Sequence, residues 1–311
     1  EERGFKGNFT PYTSRYCYGL VVNFTRRSPL SGSAELRRAL SMALDKEGLI
    51  RDALGGAGER ADCVIPSSLL DTGGKPFIEH DEAAARKAVD ALRGSIRAPI
   101  TVAIREYPTI AGLDRIGDSI LRSFERLGLP ATVEFCPLSK PISSYRDAYD
   151  LIFIGFLPEI DLFSAVEPFI NPQGGDNYFG YDNPELFAEL GRTIGIKDQD
   201  ERRGRFVGML RTLTEDVFMI PIFFQQVYCA SRPGIHAVHV SAEETVMPDI
   251  LFMKPGLDAE PGEETSDPGS ATVGGEPDRG GYASAVAALE AESAKVLDGS
   301  RALIELSDRK S

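Results

Sequence analysis

Residues 150–156 read DLIFIGF, and after the leading aspartate nothing in the run is polar. A strand with one wet face alternates apolar with polar side chains. A run that does not alternate has to be covered on both faces, the situation of a strand inside a parallel sheet sandwiched between helices. The neighbouring segments supply such covers. Residues 100–104 (ITVAI) read as a strand. Residues 110–127 read as a helix with Leu113, Ile116, Ile120, Leu121, Phe124 and Leu127 inward, stopped by Gly128, and residues 132–135 form a further strand. This β-α-β order predicts an α/β layer domain.

The flanking segments extend it. Residues 18–24 (YGLVVNF) are a short strand candidate. Ser33 then sits at an N-cap before a helix with Leu36, Ala39, Leu40, Ala43 and Leu44 as its stripe. Asp45 caps a second helix that Gly55-Gly56 stop, and Asp81 caps a third (EAAARKAVDAL) closed by Gly94. Residues 184–190 and 201–215 look helical, and residues 218–229 (FMIPIFFQQVYC) are one more strand or strand pair. Beyond 253 the character changes. Residues 254–281 are dense in Gly, Pro and Ser and carry seven carboxylates against Lys254 and Arg279, too little apolar surface to offset the entropy of ordering. Residues 282–311 are Ala-rich, with Val286, Leu289, Val296, Leu297, Leu303, Ile304 and Leu306 at roughly helical spacing. The expected organisation is a globular part over 1–253, an acidic disordered linker over 254–281 and a helical segment over 282–311.

Composition removes several classes of function. Thirty-four basic residues face 47 acidic ones, a net charge of −13, which argues against nucleic acid as a partner. No apolar run approaches the ~18–20 residues of a membrane helix. The chain opens Glu1-Glu2-Arg3 with no basic-then-apolar leader, so a targeting segment is expected to be absent or already removed. Cys17, Cys63, Cys136 and Cys229 are too dispersed for structural zinc; they read either as two disulfides, in one of three pairings, or as four buried inert thiols. His236 and His239 lie in an extended segment where i and i+3 face opposite sides, so one metal does not take both. No GxSxG, HExxH, P-loop or GxGxxG string occurs. The expectation is a protein with no catalytic residues, no metal and no cofactor.

The order of elements carries a resemblance. Asn23 ending an apolar strand, Arg38-Ala39-Leu40, Asp45-Lys46-Glu47, Gly55-Gly56 and Ile65-Pro66 stand where the oligopeptide- and dipeptide-binding proteins of ABC importers place their matching motifs. HDEAAARKAVDAL, GYDNPELFAEL and the segment ending in DVFMIPIFF follow in the family's order, so that the similarity spans roughly residues 17–253. The chain thus resembles extracytoplasmic solute-binding protein family 5. That implies a periplasmic-binding-protein-like lobe of the type II, peptide-binding class, a mixed sheet flanked by helices. The first lobe is largely absent from this chain and would lie upstream or in another chain.

The resemblance also nominates a site. In peptide-binding members the strand matching DLIFIGF ends in Trp followed shortly by an acid that pairs with the ligand's α-ammonium group. Phe156 takes the Trp position here, and Glu159 or Asp161 that of the acid. Asp161 is equally a competent N-cap for the following helix. Gly174, Gly175, Asn177 and Tyr178 resemble a family loop near the cleft, and they read also as a polar surface turn. Tyr107 lies just past the strand over 100–104, at the end where open α/β sheets place ligands. The implied role is solute binding between two lobes, with a peptide or other small solute as ligand and ABC permease subunits as partners. The implied place is periplasmic or otherwise extracytoplasmic, with any membrane anchor in a part outside this chain. The extension over 254–311 supports an alternative, a ligand-sensing or scaffold domain of a larger envelope regulatory protein.

Overall fold

The computed structural model describes residues 8–231 other than 97, 175 and 176, together with 238–240 and 246–248. The expected linker over 254–281 and helix over 282–311 lie outside the described residues.

Six strands build the main sheet: β1 (Asn8–Val22), β2 (Gly58–Arg60), β3 (Ile100–Glu106), β4 (Ala131–Pro137), β5 (Leu151–Phe156) and β6 (Met219–Ser231). Their order is β2-β6-β1-β5-β3-β4. β4, β3 and β5 are parallel, whereas β5 to β1, β1 to β6 and β6 to β2 are antiparallel. β7 (Val238–Val240) and β8 (Val246–Pro248) pair as a separate antiparallel ribbon. The unbroken apolar run of β5 therefore reflects cover on both faces in a mixed sheet, not a wholly parallel one.

Helices supply that cover. α1 (Pro29–Gly32), α2 (Ala34–Ala43), α3 (Lys46–Leu54), α4 (Glu82–Leu92) and α5 (Leu113–Arg126) lie on one face. α6 (Leu162–Ile170), α7 (Pro184–Ile194) and α8 (Gln199–Glu215) lie on the other. β5 divides its side chains by the two-residue period: Leu151 and Phe153 meet the first set of helices, and Ile152, Ile154 and Phe156 meet the second. The capping residues read from the sequence hold these helices in place. Ser33 accepts from the Leu36 amide at 3.1 Å, and Asp45 and Asp81 accept from Gly48 and Ala84, each at 2.8 Å.

Several boundaries differ from the sequence reading, and two of the differences have a clear physical cause. α5 starts at Leu113 rather than 110, because Gly112 is left-handed (φ 78°) and passes against the Ala53 carbonyl, where a Cβ would come within 2.3 Å. β1 starts ten residues before Tyr18. Its first part, NFTPYTSRY, mixes polar and aromatic residues without a clean alternation and pairs with Gln226–Ser231 of β6 through the backbone, so no apolar period is there to read. Pro221 is tolerated inside β6 because the register slips between Tyr18 and Gly19, where the ladder is already interrupted. Cys17, Cys63 and Cys136 are buried free thiols, so two disulfides are not formed.

Candidate functional site

The parallel strands β3, β4 and β5 all end at one edge of the sheet, and two strands do not stop there. β5 ends at Phe156 opposite Cys17, yet β1 has nine more residues on that side, about 30 Å of strand paired against β6 as far as Asn8 opposite Ser231. A long antiparallel ribbon thus leaves the sheet at the carboxyl edge. At its root the register slips: between the Thr13–Gln226 and Cys17–Phe224 pairs, Ser14, Arg15 and Tyr16 oppose Gln225 alone. Such a bulge re-aims its side chains. Arg15 donates to the carbonyl oxygen of Pro158, in the loop that follows β5.

That loop carries the expected carboxylates. Asp161 is the N-cap of α6 and accepts from the Ser164 amide at 2.9 Å and its hydroxyl at 2.8 Å. These hydrogen bonds, the backbone one foremost, hold its carboxyl below the usual aspartate range. Glu159 lines a shallow depression with Ile160, Asp161, Phe163 and Glu167. Phe156 points the other way, buried under α6 with its ring edge-to-face on Phe169 at 4.8 Å. Tyr107, past the end of β3, accepts from the Gly155 amide at 3.0 Å, a donor that the β3–β5 ladder leaves unused after Phe153. A Cβ at Gly155 would fall 2.6 Å from the Tyr18 ring. A second depression opens beside Tyr107, lined by Glu106, Leu113, Asp114, Phe135 and Leu138.

The glycine loop lies elsewhere. α6 runs back along the sheet from Asp161, about 13 Å over its nine residues. Beyond its end, the Phe179 carbonyl accepts from Phe24 just past Val22, which faces Leu151 at the start of β5. The Tyr178 carbonyl accepts from Arg146 at 2.8 Å. Gly174 packs so close to the Pro168 carbonyl that a Cβ would come within 2.4 Å. Asn177 closes the turn, donating to the Asn171 and Tyr181 carbonyls and accepting from the Tyr181 amide. Gly175 is outside the described residues. Phe156, Glu159, Asp161 and Tyr107 all lie at the carboxyl edge, Glu159 and Asp161 at one depression and Tyr107 at the other, while Gly174, Asn177 and Tyr178 sit near the amino ends of the strands.

Sequence reasoning missed the apolar rim. Among the described residues, six large apolar side chains are exposed, and four of them, Phe135, Leu138, Leu157 and Ile160, ring the carboxyl edge. Mixed among them are the carboxylates Glu106, Asp114, Glu159, Asp161 and Glu167. Cations stand there as well: Arg15 donates to the Pro158 carbonyl, Arg105 donates to the Leu138 carbonyl at 2.8 Å, and Lys140 lies over the rings of Tyr145 and Tyr149. Arg202 is near enough to Asp161 to help lower its carboxyl. An exposed apolar rim interspersed with charged groups suits a ligand that is part apolar and part polar. The one signal of it in the sequence is LPEI after a fully apolar strand, where a solvent loop would ordinarily be polar. Among the described residues, no group of three or more His, Cys, Asp or Glu is placed to hold a metal ion, and no helix is long and apolar enough to cross a membrane.

No family model matches the chain, and no curated protein matches it in sequence. Solved structures do match its fold. The ABC transporter substrate-binding protein CtaP from Listeria monocytogenes superposes with a TM-score of 0.66 at 20% identity, over 81% of this chain and 51% of its own. HbpA2 from Haemophilus parasuis gives 0.64 at 16% identity, over 77% and 48%. The oligopeptide-binding protein AppA from Bacillus subtilis, solved with a nonapeptide, gives 0.62 at 16%, over 75% and 49%. The matched part is thus about half the length of each of these proteins. The mixed sheet with helices on both faces is a periplasmic-binding-protein-like fold, shared with substrate-binding proteins of the oligopeptide type.

Proposed function

We propose that residues 1–253 are the second lobe and hinge region of a peptide-type solute-binding protein that delivers its ligand to an ABC importer. The observation that carries this reading is the β1–β6 ribbon leaving the sheet beside the apolar rim. Two crossing strands are what a hinge between lobes requires, and closure of a first lobe over the rim would enclose a solute and exclude water. In the dry cleft so formed, Glu159 faces the ligand's ammonium group, a pairing stronger there than in water. Asp161 fixes the loop by capping α6, and Tyr107 forms the adjoining wall. The partners are a peptide or other small solute, the first lobe and the permease subunits. The setting is extracytoplasmic, and no nucleic acid or covalent chemistry is involved.

Native mass spectrometry of the protein purified from its own host tests this directly. A retained small-molecule adduct that is displaced by added di- to pentapeptides supports the reading. Absence of any adduct, with no thermal shift on adding those peptides, overturns it and returns the chain to a scaffold or sensory role.

A further inference from the structure

We propose that Cys17 and Cys63 form a redox pair that closes a single disulfide when the chain folds in an oxidising compartment. The sheet removes every two-disulfide arrangement the sequence permits. Cys17 on β1 and Cys136 on β4 are three strands apart, about 14 Å, roughly twice the Cα separation a disulfide spans. Cys136 and Cys229 are four strands apart, about 19 Å. Cys229 sits five residues along β6 from Phe224, the register partner of Cys17, so it is about 17 Å away along the strand. Each of the three double pairings needs one of these distances. A single Cys17–Cys63 link needs none of them.

The local geometry favours that link. Cys17 Sγ lies 3.9 Å from the carbonyl oxygen of Cys63, and both side chains are buried in the same apolar cluster. Closure requires the Cys63 thiol to leave the Ile65 carbonyl, 3.1 Å away, by rotation about its Cα–Cβ bond. Both thiols lose their protons and the sulfurs join; the two electrons pass to an external disulfide oxidant, which is cleaved to two thiols. Burial pushes the Cys63 thiol up to about 11 and Cys17 higher still, so the folded protein offers almost no thiolate for exchange. The bond is therefore made while the segment is open, and the folded protein preserves whichever state it acquired. Once formed, it ties β1, just below the bulge at residues 14–16, to the loop whose Ala61 carbonyl accepts from Lys46 at 2.9 Å.

The test is to refold the 311-residue chain in a mixture of reduced and oxidised glutathione, alkylate it under denaturing conditions, and map the cysteines by mass spectrometry. The expected result is a Cys17–Cys63 cross-linked peptide lighter than its two free parts by two hydrogens, with Cys136 alkylated. Alkylation of both Cys17 and Cys63, or a link of either to Cys229, overturns the proposal. Oxidised wild type should also melt on the order of 5 °C or more above the reduced protein, a gap that Cys63→Ser abolishes. A gap that survives in Cys63→Ser overturns the assignment as well.

Discussion

Arg15, on the bulge of β1, donates its guanidinium N–H to the carbonyl of Pro158, so the strand that leaves the sheet and the loop that carries Glu159 and Asp161 are joined side chain to backbone. A bend of the ribbon at its root is transmitted to that loop without passing through the core. Arg15→Met keeps the apolar stem and removes the donor. The expected outcome is a loss of about 1.5–3 kcal/mol, the range for a hydrogen bond to a charged group. The amides of Leu157, Glu159 and Ile160 should exchange on the order of tenfold faster, while those of Leu151 to Ile154 are unchanged. Equal exchange in both proteins would show that the contact does not hold the loop.

Gly19 tests the second irregularity of the ribbon. A Cβ there would come within 2.3 Å of the Ile220 carbonyl oxygen and 2.9 Å of the Pro221 Cα, both backbone atoms that cannot rotate aside. Gly19→Ala should cost about 2–4 kcal/mol, because strands β1 and β6 must separate to admit it. The measurement is the midpoint of urea unfolding, with an unchanged slope if the native fold is kept.

Lys46 sets a pH dependence whose sign can be worked out. Burial lowers it to about 8 from an ordinary 10.5, so between those values the folded state holds fewer protons than the unfolded one. Stability therefore rises with pH across that window, and below it the buried ammonium costs about 3 kcal/mol. The two buried thiols act in the opposite sense. Both are raised from an ordinary 9.0 by burial, so above pH 9 the unfolded chain ionises first and stability falls. Reduced wild type should thus gain stability from pH 8 to about 9 and then level off or decline. Lys46→Met should show the decline alone. The difference between the two proteins changes by about 1.4 kcal/mol per pH unit between 8 and 10. A difference that stays flat would mean Lys46 is not buried in its charged form.

The core was legible where one face of an element decides its fate. The stripe of α2, the caps Ser33, Asp45 and Asp81, and the run of β5 all read directly from local pattern, because each is fixed by its own neighbours in the chain. The first half of β1 was not legible, since its partner is more than two hundred residues away and its side chains follow no period. The site divides in the same way. Tyr107 follows from the rule that ligands gather at carboxyl ends of strands, whereas Glu159 and Asp161 are nominated by the family resemblance alone. Gly174, Asn177 and Tyr178 are only a few residues beyond α6, and nothing local reveals that α6 carries the chain back toward the other edge of the sheet. The meeting of Cys17 with Cys63 depends on the loop after β2, which is placed by β6.

The apolar rim separates binding from folding. Leu157 and Ile160 are each more than two-fifths exposed, so replacing both by serine removes little buried area and should change stability by less than about 1 kcal/mol. Under the proposed function the same change removes apolar wall from the closed cleft, where burial against a ligand is worth about 25 cal/mol per Å². A double variant Leu157→Ser, Ile160→Ser should therefore unfold at the wild-type urea concentration while retaining solute at least tenfold more weakly in a competition titration. Phe187→Ser, in the first turn of α7 and of similar exposure, is the control and should leave binding unchanged. Equal loss of solute in the rim variant and in Phe187→Ser would mean that the rim has no special part in recognition. Loss confined to Leu157 and Ile160 would place the ligand against the loop that Arg15 holds.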